Sequence, residues 1–330
     1  MSKGCLNVGV LGYANVFKKH MKRAFEECEY FSIKKIASRK SALLSDLNFE
    51  NQDVTIVSDY EEVVGDVNID LVYIPLPNSL HFEWICKALE NGKHVLVEKP
   101  IVLNKIEFDR ISKIAIEKNL VVKQNFMFEY HSQFKFIKEQ INNGYIGEIR
   151  SISASFGFPP FQDLDNIRYS QFLGGGSLND AGAYGIIISS LLLDFSQQFY
   201  VTSSLNFDRS RNIDLYGGAL LIDGSGKTAH INFGFDNYYQ CNLEIWGSKG
   251  KITANRIFTA GPGVKPEVLV EIENSRERKL FDSENHFVHL LNRLYLDINN
   301  VCEYNETRRS QSFINLLEEV RNNAIINYIQ

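Results

Sequence analysis

A chain of 330 residues is longer than one ordinary hydrophobic core requires, and its length fits two domains. Apolar residues make up 44% and charged residues 23%, a balance expected of a water-soluble globular protein, and a formal net charge of −5 offers no basic surface to nucleic acid. The five cysteines, Cys5, Cys28, Cys86, Cys241 and Cys302, are scattered and lack metal-ligand spacing, which predicts reduced thiols in a cytoplasm and no metal site.

The opening MSKGCLNVGV carries no long apolar run, so no signal peptide is expected. NVGVLG (7–12) reads as a buried strand, followed by a helix from about residue 14 to 28. SIKKIAS (32–38), DVTIV (53–57), DLVYIPL (70–76), HVLVEK (94–99) and LVVKQNF (120–126) are further strands. Between the later ones lie amphipathic helices over 78–92 and 104–119, with Asn78 and Asn104 as caps and Gly92 and Asn119 as stops. Strand–helix alternation predicts a parallel sheet with right-handed crossovers.

Beyond residue 128 the pattern changes. A helix over 131–143 gives way to strands at 149–158, 198–207, 215–222, 228–235 and 241–247, joined by turns such as DGSG and GSKGK. GIIISSLLLDF (185–195) is too short to cross a bilayer and reads as a buried helix, and two more helices, over 284–298 and 306–323, end the chain. The expected class is an α/β Rossmann domain over 1–127 and an α+β domain over 128–330 with an open, mostly antiparallel sheet. Ile231, Phe233, Phe235, Leu243 and Ile245 have no evident helical cover, and an exposed apolar face of that size predicts a homodimer or higher even oligomer through this sheet.

The first turn decides the cofactor question. A phosphate cradle needs a tight turn after the first strand and free amides at a helix start, commonly written G-x-G-x-x-G/A. Here those places hold Gly12, Ala14 and Phe17. Alone, the turn over Gly12, Tyr13, Ala14, Asn15 and Val16 fits a packing turn as well as a cofactor site. The second strand ends in Ser38, Arg39 and Lys40 instead of an acid, which suits the 2′-phosphate of NADP(H) over the ribose hydroxyl of NAD(H); a solvated basic turn is the other reading.

Two further stretches, VYIPLPNSLHFEWICKALENGKHVLVEKPI (72–101) and NIRYSQFLGGGSLNDAGAYGI (166–186), together with the opening turn, resemble the glucose–fructose oxidoreductase/inositol dehydrogenase family, also called Gfo/Idh/MocA. The similarity continues through FMFEYHSQF (126–134), YIGEIRSISASF (145–156) and WGSKGKITANRIFTAGP (246–262). It implies a Rossmann domain, a second domain whose open sheet packs on partner subunits, and hydride transfer between a nicotinamide cofactor and a sugar or polyol. It also implies a catalytic lysine at Lys99 of the E-K-P motif, an acid at Asp180 and an active-site tyrosine at Tyr184. A tyrosine there resembles the branch holding dimeric dihydrodiol dehydrogenases and nucleotide-sugar ketoreductases. Pro75, Asn78, His81 and Glu98 match cofactor-facing loops, and His131 matches a position near the nicotinamide, although a buried structural histidine reads equally well. Glu129 and Ser132 depart from the arginine and proline common in that branch, so a specific substrate does not carry over.

The residue chemistry agrees with these roles. Lys99 follows a parallel strand and so lies at the carboxyl edge, where ligands bind. Asp180 and Tyr184 are four apart on a predicted helix and share a face. A carbonyl that accepts hydride becomes an alkoxide and needs a proton, which Tyr184 or Lys99 can give, with Asp180 orienting or balancing the lysine. Arg168 is a candidate for a substrate hydroxyl or phosphate, or for a structural ion pair. Gly174, Gly175 and Gly176 are expected to let backbone approach a ligand. The leading expectation is a cytoplasmic NADP(H)-dependent keto-sugar reductase acting on a nucleotide-linked hexose, with neither nucleic acid nor membrane as partner. The alternatives are an aldose or trans-dihydrodiol dehydrogenase and a non-catalytic dinucleotide sensor.

Overall fold

A computed structural model of the chain describes residues 4–39, 53–300 and 306–329. They fall into two compact units, Met1–Asn125 with Phe287–Arg308 and Phe126–His286 with Arg309–Gln330.

The first unit alternates as the sequence predicts. β1 (Leu6–Leu11) leads into a π turn (Phe17–Met21) and α1 (Lys22–Glu27), then β2 (Phe31–Ala37), β3 (Thr55–Val57) and α2 (Glu61–Val64). β4 (Leu71–Ile74), α3 (His81–Glu90), β5 (His94–Val97), α4 (Lys105–Glu117) and β6 (Val122–Gln124) follow. The strands form one parallel sheet in the order β3-β2-β1-β4-β5-β6, with direction of winding reversing between β1 and β4. β4 (LVYI) is buried along its whole length, the mark of a strand covered on both faces. α4 starts where the Asn104 side chain accepts the Glu107 N–H at 2.9 Å. Asn78 instead opens a 3₁₀ turn (Asn78–Leu80), and α3 begins at His81.

A buried polar cluster ties the far ends of β4, β5 and β6. Glu98 Oε1 accepts both the Tyr73 hydroxyl at 2.6 Å and Asn125 Nδ2 at 2.7 Å. Burial, then the charge of Glu98, holds the Tyr73 phenol well above its usual range, so it remains a donor.

In the second unit, α5 (Ser132–Asn142) and β7 (Ile149–Gly157) precede a second π turn (Leu178–Gly182) that runs into α6 (Ala183–Leu192). The strands β8 (Tyr200–Asp208), β9 (Ile213–Ile222), β10 (Thr228–Gly234), β11 (Gln240–Gly247), β12 (Gly250–Asn255), β13 (Glu267–Ile272) and β14 (Ser275–Leu280) come next. After α7 (His286–Asn299) and α8 (Glu306–Asn322), the chain ends in β15 (Ala324–Ile329). The sheet order is β14-β13-β12-β11-β7-β10-β9-β8-β15, antiparallel except for the β7–β10 and β8–β15 pairs.

One expectation is overturned here. Ile231 and Phe233 are 2% and 3% exposed, and Phe235, Leu243 and Ile245 are fully buried. The helical segment 178–192 covers this face, with Gly185 seated against Ile231 and Gly182 against Phe233. The sequence marks that helix as buried but not what it lies on. The open face is the opposite one. It carries Ser153, His230 and Glu244 in one cross-strand row, with Trp246 at 63% exposure nearby.

From Phe287 on, α7 packs with the first unit. Tyr295 stacks on Tyr30 with ring centroids 4.3 Å apart. Asp297 Oδ2 meets Lys123 Nζ at 2.7 Å with both side chains 2% exposed, and its Oδ1 accepts from Arg293 Nε at 2.7 Å. A buried pair contributes little over an apolar substitute, but removing one partner strands the other's charge. Asp297→Ala should therefore destabilise the first unit by about 3–5 kcal/mol, read as a lower urea midpoint at constant slope. A loss below about 1 kcal/mol, the scale of a surface pair, would contradict this reading of α7.

Candidate active site

The carboxyl ends of the parallel strands gather most of the first unit's candidate residues. After β1 the chain turns at Gly12, whose φ is +96° and whose N–H donates to the Ala37 carbonyl at 2.7 Å, joining the ends of β1 and β2. A Cβ there would stand 3.0 Å from Leu76 Cδ2, in a backbone conformation that disfavours L side chains. Tyr13 and Ala14 are half-buried, Asn15 is exposed, and Val16 already has helical angles. Phe17, at the place of the third small residue, is fully buried and packs on Tyr13 and Tyr73. The helix thus begins on a π turn with its bulky residue turned into the core, which leaves the exposed side of the turn to Asn15.

At the end of β2, Ser38 is buried with its N–H on the Val57 carbonyl at 2.9 Å, and Arg39 is exposed. Lys40 lies outside the described residues. With no carboxylate at Ser38 or Arg39 and a tight turn beside them, these residues fit a phosphorylated dinucleotide.

β4 and β5 end in facing loops. Pro75 and Asn78 lie on the first and Lys99 on the second. His81 bridges the two loops: Nδ1 lies 2.8 Å from the Pro100 carbonyl and Nε2 2.9 Å from that of Leu76. Burial lowers its pKa, the two carbonyls oppose that, and Lys99 adds to it. His81 is fully buried with both ring nitrogens beside the chain's own carbonyls, and in its neutral form it donates to one of them. Lys99 is partly buried and joined to Pro100 by a cis peptide. Burial pushes the neighbouring Glu98 carboxyl up, against the bonds from Tyr73 and Asn125 and the charge of Lys99. Tyr73 and Asn125 were not singled out from sequence; a tyrosine in an aliphatic strand and an amide closing an apolar one are the signals that mark them.

In the second unit, Asp180 sits on the π turn that opens the α6 helix and pairs with Arg168 at 2.5 Å. Arg168 lies on a 3₁₀ turn (Ile167–Tyr169) capped by Asn166, with its guanidinium 5.1 Å from the Phe161 ring. Tyr184, 7% exposed, is ringed by Phe126, Phe128, Phe156 and Phe258, and its hydroxyl lies 4.0 Å from Met127 Sδ. π turns recur at functional sites because the widened turn re-aims side chains, and here one lies in each candidate segment.

His131 is buried, and its Nδ1 lies 3.0 Å from the Gln133 N–H at the start of α5. Glu284 Oε1 lies 3.2 Å from the same Nδ1, and Glu284 also accepts from the Ser132 N–H and hydroxyl. Glu129 and Ser132, the two departures, are engaged by Arg309 and Glu284. The glycines Gly175 and Gly176 are tightly packed. A Cβ on Gly175 would stand 2.3 Å from the Arg168 carbonyl, and one on Gly176 2.3 Å from Asp214 Oδ1, so these residues clear the chain's own atoms. Among the described residues, no group of three or more His, Cys, Asp or Glu could hold a metal ion.

Comparison with known proteins identifies the family. Residues 6–126 match a family model described as an oxidoreductase family with an NAD-binding Rossmann fold, and 134–253 match the GFO/IDH/MocA C-terminal domain. The chain is 36% identical over 282 residues, 86% of it and 84% of the relative, to a dTDP-3,4-didehydro-2,6-dideoxy-alpha-D-glucose 3-reductase of Actinomadura kijaniata. It is 28% identical over 274 residues, 83% of each chain, to a D-xylose 1-dehydrogenase (NADP(+)) of Haloferax volcanii. The crystal structure of a 3-ketoreductase from A. kijaniata in complex with NADP and TDP-benzene superposes with a TM-score of 0.91 and 32% identity, over 99% of this chain and 100% of that one. The chain belongs to the Gfo/Idh/MocA family of oxidoreductases.

Proposed function

We propose that this chain is a cytoplasmic, NADP(H)-dependent keto-sugar reductase whose substrate is a nucleotide-linked hexose. The observation that carries the reading is the convergence, on one edge of the parallel sheet, of the Gly12 turn, the Ser38–Arg39 strand end and Lys99. The reductase relative and the solved structure holding NADP and a TDP derivative support the cofactor and the nucleotide portion of the substrate.

In this mechanism the Gly12–Val16 turn offers amides to the pyrophosphate, and Ser38, Arg39 and Lys40 take the 2′-phosphate. Pro75 and Asn78 line the approach, while His81 and Glu98 hold the two loops in register from beneath. When bound, the reduced cofactor supplies the hydride that turns the sugar carbonyl into an alkoxide. Lys99 polarises the carbonyl oxygen, and Tyr184 delivers the proton to it. Asp180, already paired with Arg168, orients the sugar hydroxyls. Tyr184 is shielded among its phenylalanines, which strengthens its own hydrogen bond to the sugar oxygen. A second copy of the chain pairs through the open face of the mixed sheet, around Ser153, His230, Glu244 and Trp246, in place of the apolar side that α6 covers. Oxidation of a free aldose is the second reading, favoured by the NADP-dependent xylose relative.

Tyr184→Phe should lower turnover of a dTDP-linked keto-hexose roughly a hundredfold while NADPH binding stays intact. Lys99→Ala should lower it further, and the two losses should not add in the double variant because the pair acts as one unit. If both variants match the parent on every carbonyl tested, the dinucleotide-sensor reading replaces the enzyme. Arg39→Ala with Lys40→Ala should weaken NADPH by roughly 1.5–3 kcal/mol per charged hydrogen bond and leave NADH nearly unchanged, measured by fluorescence titration. Tighter binding of NADH than NADPH to the parent would contradict the phosphate site.

A further inference from the structure

We propose that Asp214 is a positioning residue for the reaction: from β9 its carboxylate fastens the first turn of the helix that carries Asp180 and Tyr184. The inference rests on the roles proposed for those two residues.

Asp214 is 7% exposed, and its Oδ2 accepts both the Ser177 hydroxyl and the Leu178 N–H at 2.6 Å. Ser177 occupies the cap position of the π turn but makes no side-chain cap bond. The orphan amide of that turn is satisfied by a carboxylate 36 residues further along the chain. A negative charge there also meets the positive end of the helix dipole. The neighbouring backbone is shaped to admit it: Gly176 has φ +104°, and a Cβ on it would fall 2.3 Å from Asp214 Oδ1. A side chain at that position would therefore push the carboxylate off the turn.

The same short segment is gripped from two other directions. Asn179 Nδ2 donates to the carbonyls of Gly174 and Gly175 at 3.1 and 3.2 Å, and its Oδ1 accepts from Arg321 Nη2 on α8 at 2.7 Å. Gly176 N–H donates to the Arg168 carbonyl at 3.0 Å, and the Arg168 side chain pairs with Asp180. Asp214 is thus the acceptor at the centre of a folded loop whose two ends present Arg168 and Asp180. Tyr184 lies six residues beyond Leu178 on a continuous helix, roughly 9 Å along the axis, so a shift of the first turn is carried to its hydroxyl. Misplacement by about 1 Å can cost a hundredfold in rate.

The test compares the full-length parent with Asp214→Ala, Asp214→Asn and Ser177→Ala by hydrogen–deuterium exchange, NADPH titration and steady-state turnover of a dTDP-linked keto-hexose. Asp214→Ala should speed exchange of the 177–186 amides at least tenfold and leave peptides of β4 and β5 at the parental rate. It should lower kcat at least tenfold with KM within threefold and the NADPH Kd within twofold. Asp214→Asn keeps the shape and one accepting oxygen and should restore kcat only in part, to several-fold below the parent, whereas a merely structural role would move stability without this split. Parental exchange over 177–186 or parental kcat in Asp214→Ala overturns the proposal. If that variant does not fold, Asp214→Asn and Ser177→Ala decide: each should lower kcat several-fold, and parental values in both overturn it. A parent that turns over no keto-sugar refutes the proposed function instead, and the exchange data still report whether Asp214 holds the turn.

Discussion

In a parallel sheet every strand delivers its carboxyl end to the same edge, so the residues following β1, β2, β4, β5 and β6 meet there however far apart they lie in sequence. The reversal of winding between β1 and β4 leaves that edge uncovered at one place. Gly12 stands at this point, Ser38 and Arg39 on one side of it, and the loops after β4 and β5 on the other. Lys99 acquires its importance from this topology. A lysine before proline at a strand end is ordinary by itself; at this edge, beside a buried histidine that joins two loops, it is held where a cofactor's substrate would lie.

Buried polar groups do most of the holding. Glu98 with Tyr73 and Asn125, Asp214 with Ser177 and the Leu178 amide, and Lys123 with Asp297 each pair a distant acceptor and donor across secondary-structure elements. Such groups add modest net stability when satisfied and cost heavily when one partner is lost, so they specify geometry more than they strengthen the fold. The aromatic ring around Tyr184 complements them, packing the side chain by shape and excluding water.

How much of this was legible in the sequence depended on what each segment has to bury. LVYI and the VLV of HVLV are apolar throughout because both faces are covered, and these runs reveal the strands. SRERKL of β14 is exposed at every position and is held by backbone pairing, by the Arg276–Glu271 and Arg278–Glu267 ion pairs and by Lys279 over the Phe136 ring, so no apolar pattern marks it. β15 also escaped notice, joining the sheet edge in parallel after a tight turn from α8. The E-K-P and GGGSLNDAGAY segments pointed to the candidate residues, but not to which of them face inward. His81 and Glu98 read as cofactor-facing, yet their side chains are used by carbonyls and hydroxyls of the chain itself. The Ile231–Phe233 face read as an open surface because strand alternation shows that one side is apolar but not which helix lies on it. Asp214 had no local signature, since its partners are 36 and 37 residues away in sequence.

Hydride transfer itself offers the most direct test of the proposed chemistry. The chain is incubated with NADPH carrying deuterium at nicotinamide C4 and a dTDP-linked 3-keto-hexose, and the sugar product is examined by mass spectrometry and NMR. Reduction at this site predicts a product one mass unit heavier, with the deuterium bound to the former carbonyl carbon. No labelled sugar from any nucleotide-linked keto-hexose, together with label-free NADPH formation from NADP and a free aldose, would contradict the reductase and leave the oxidative reading in its place.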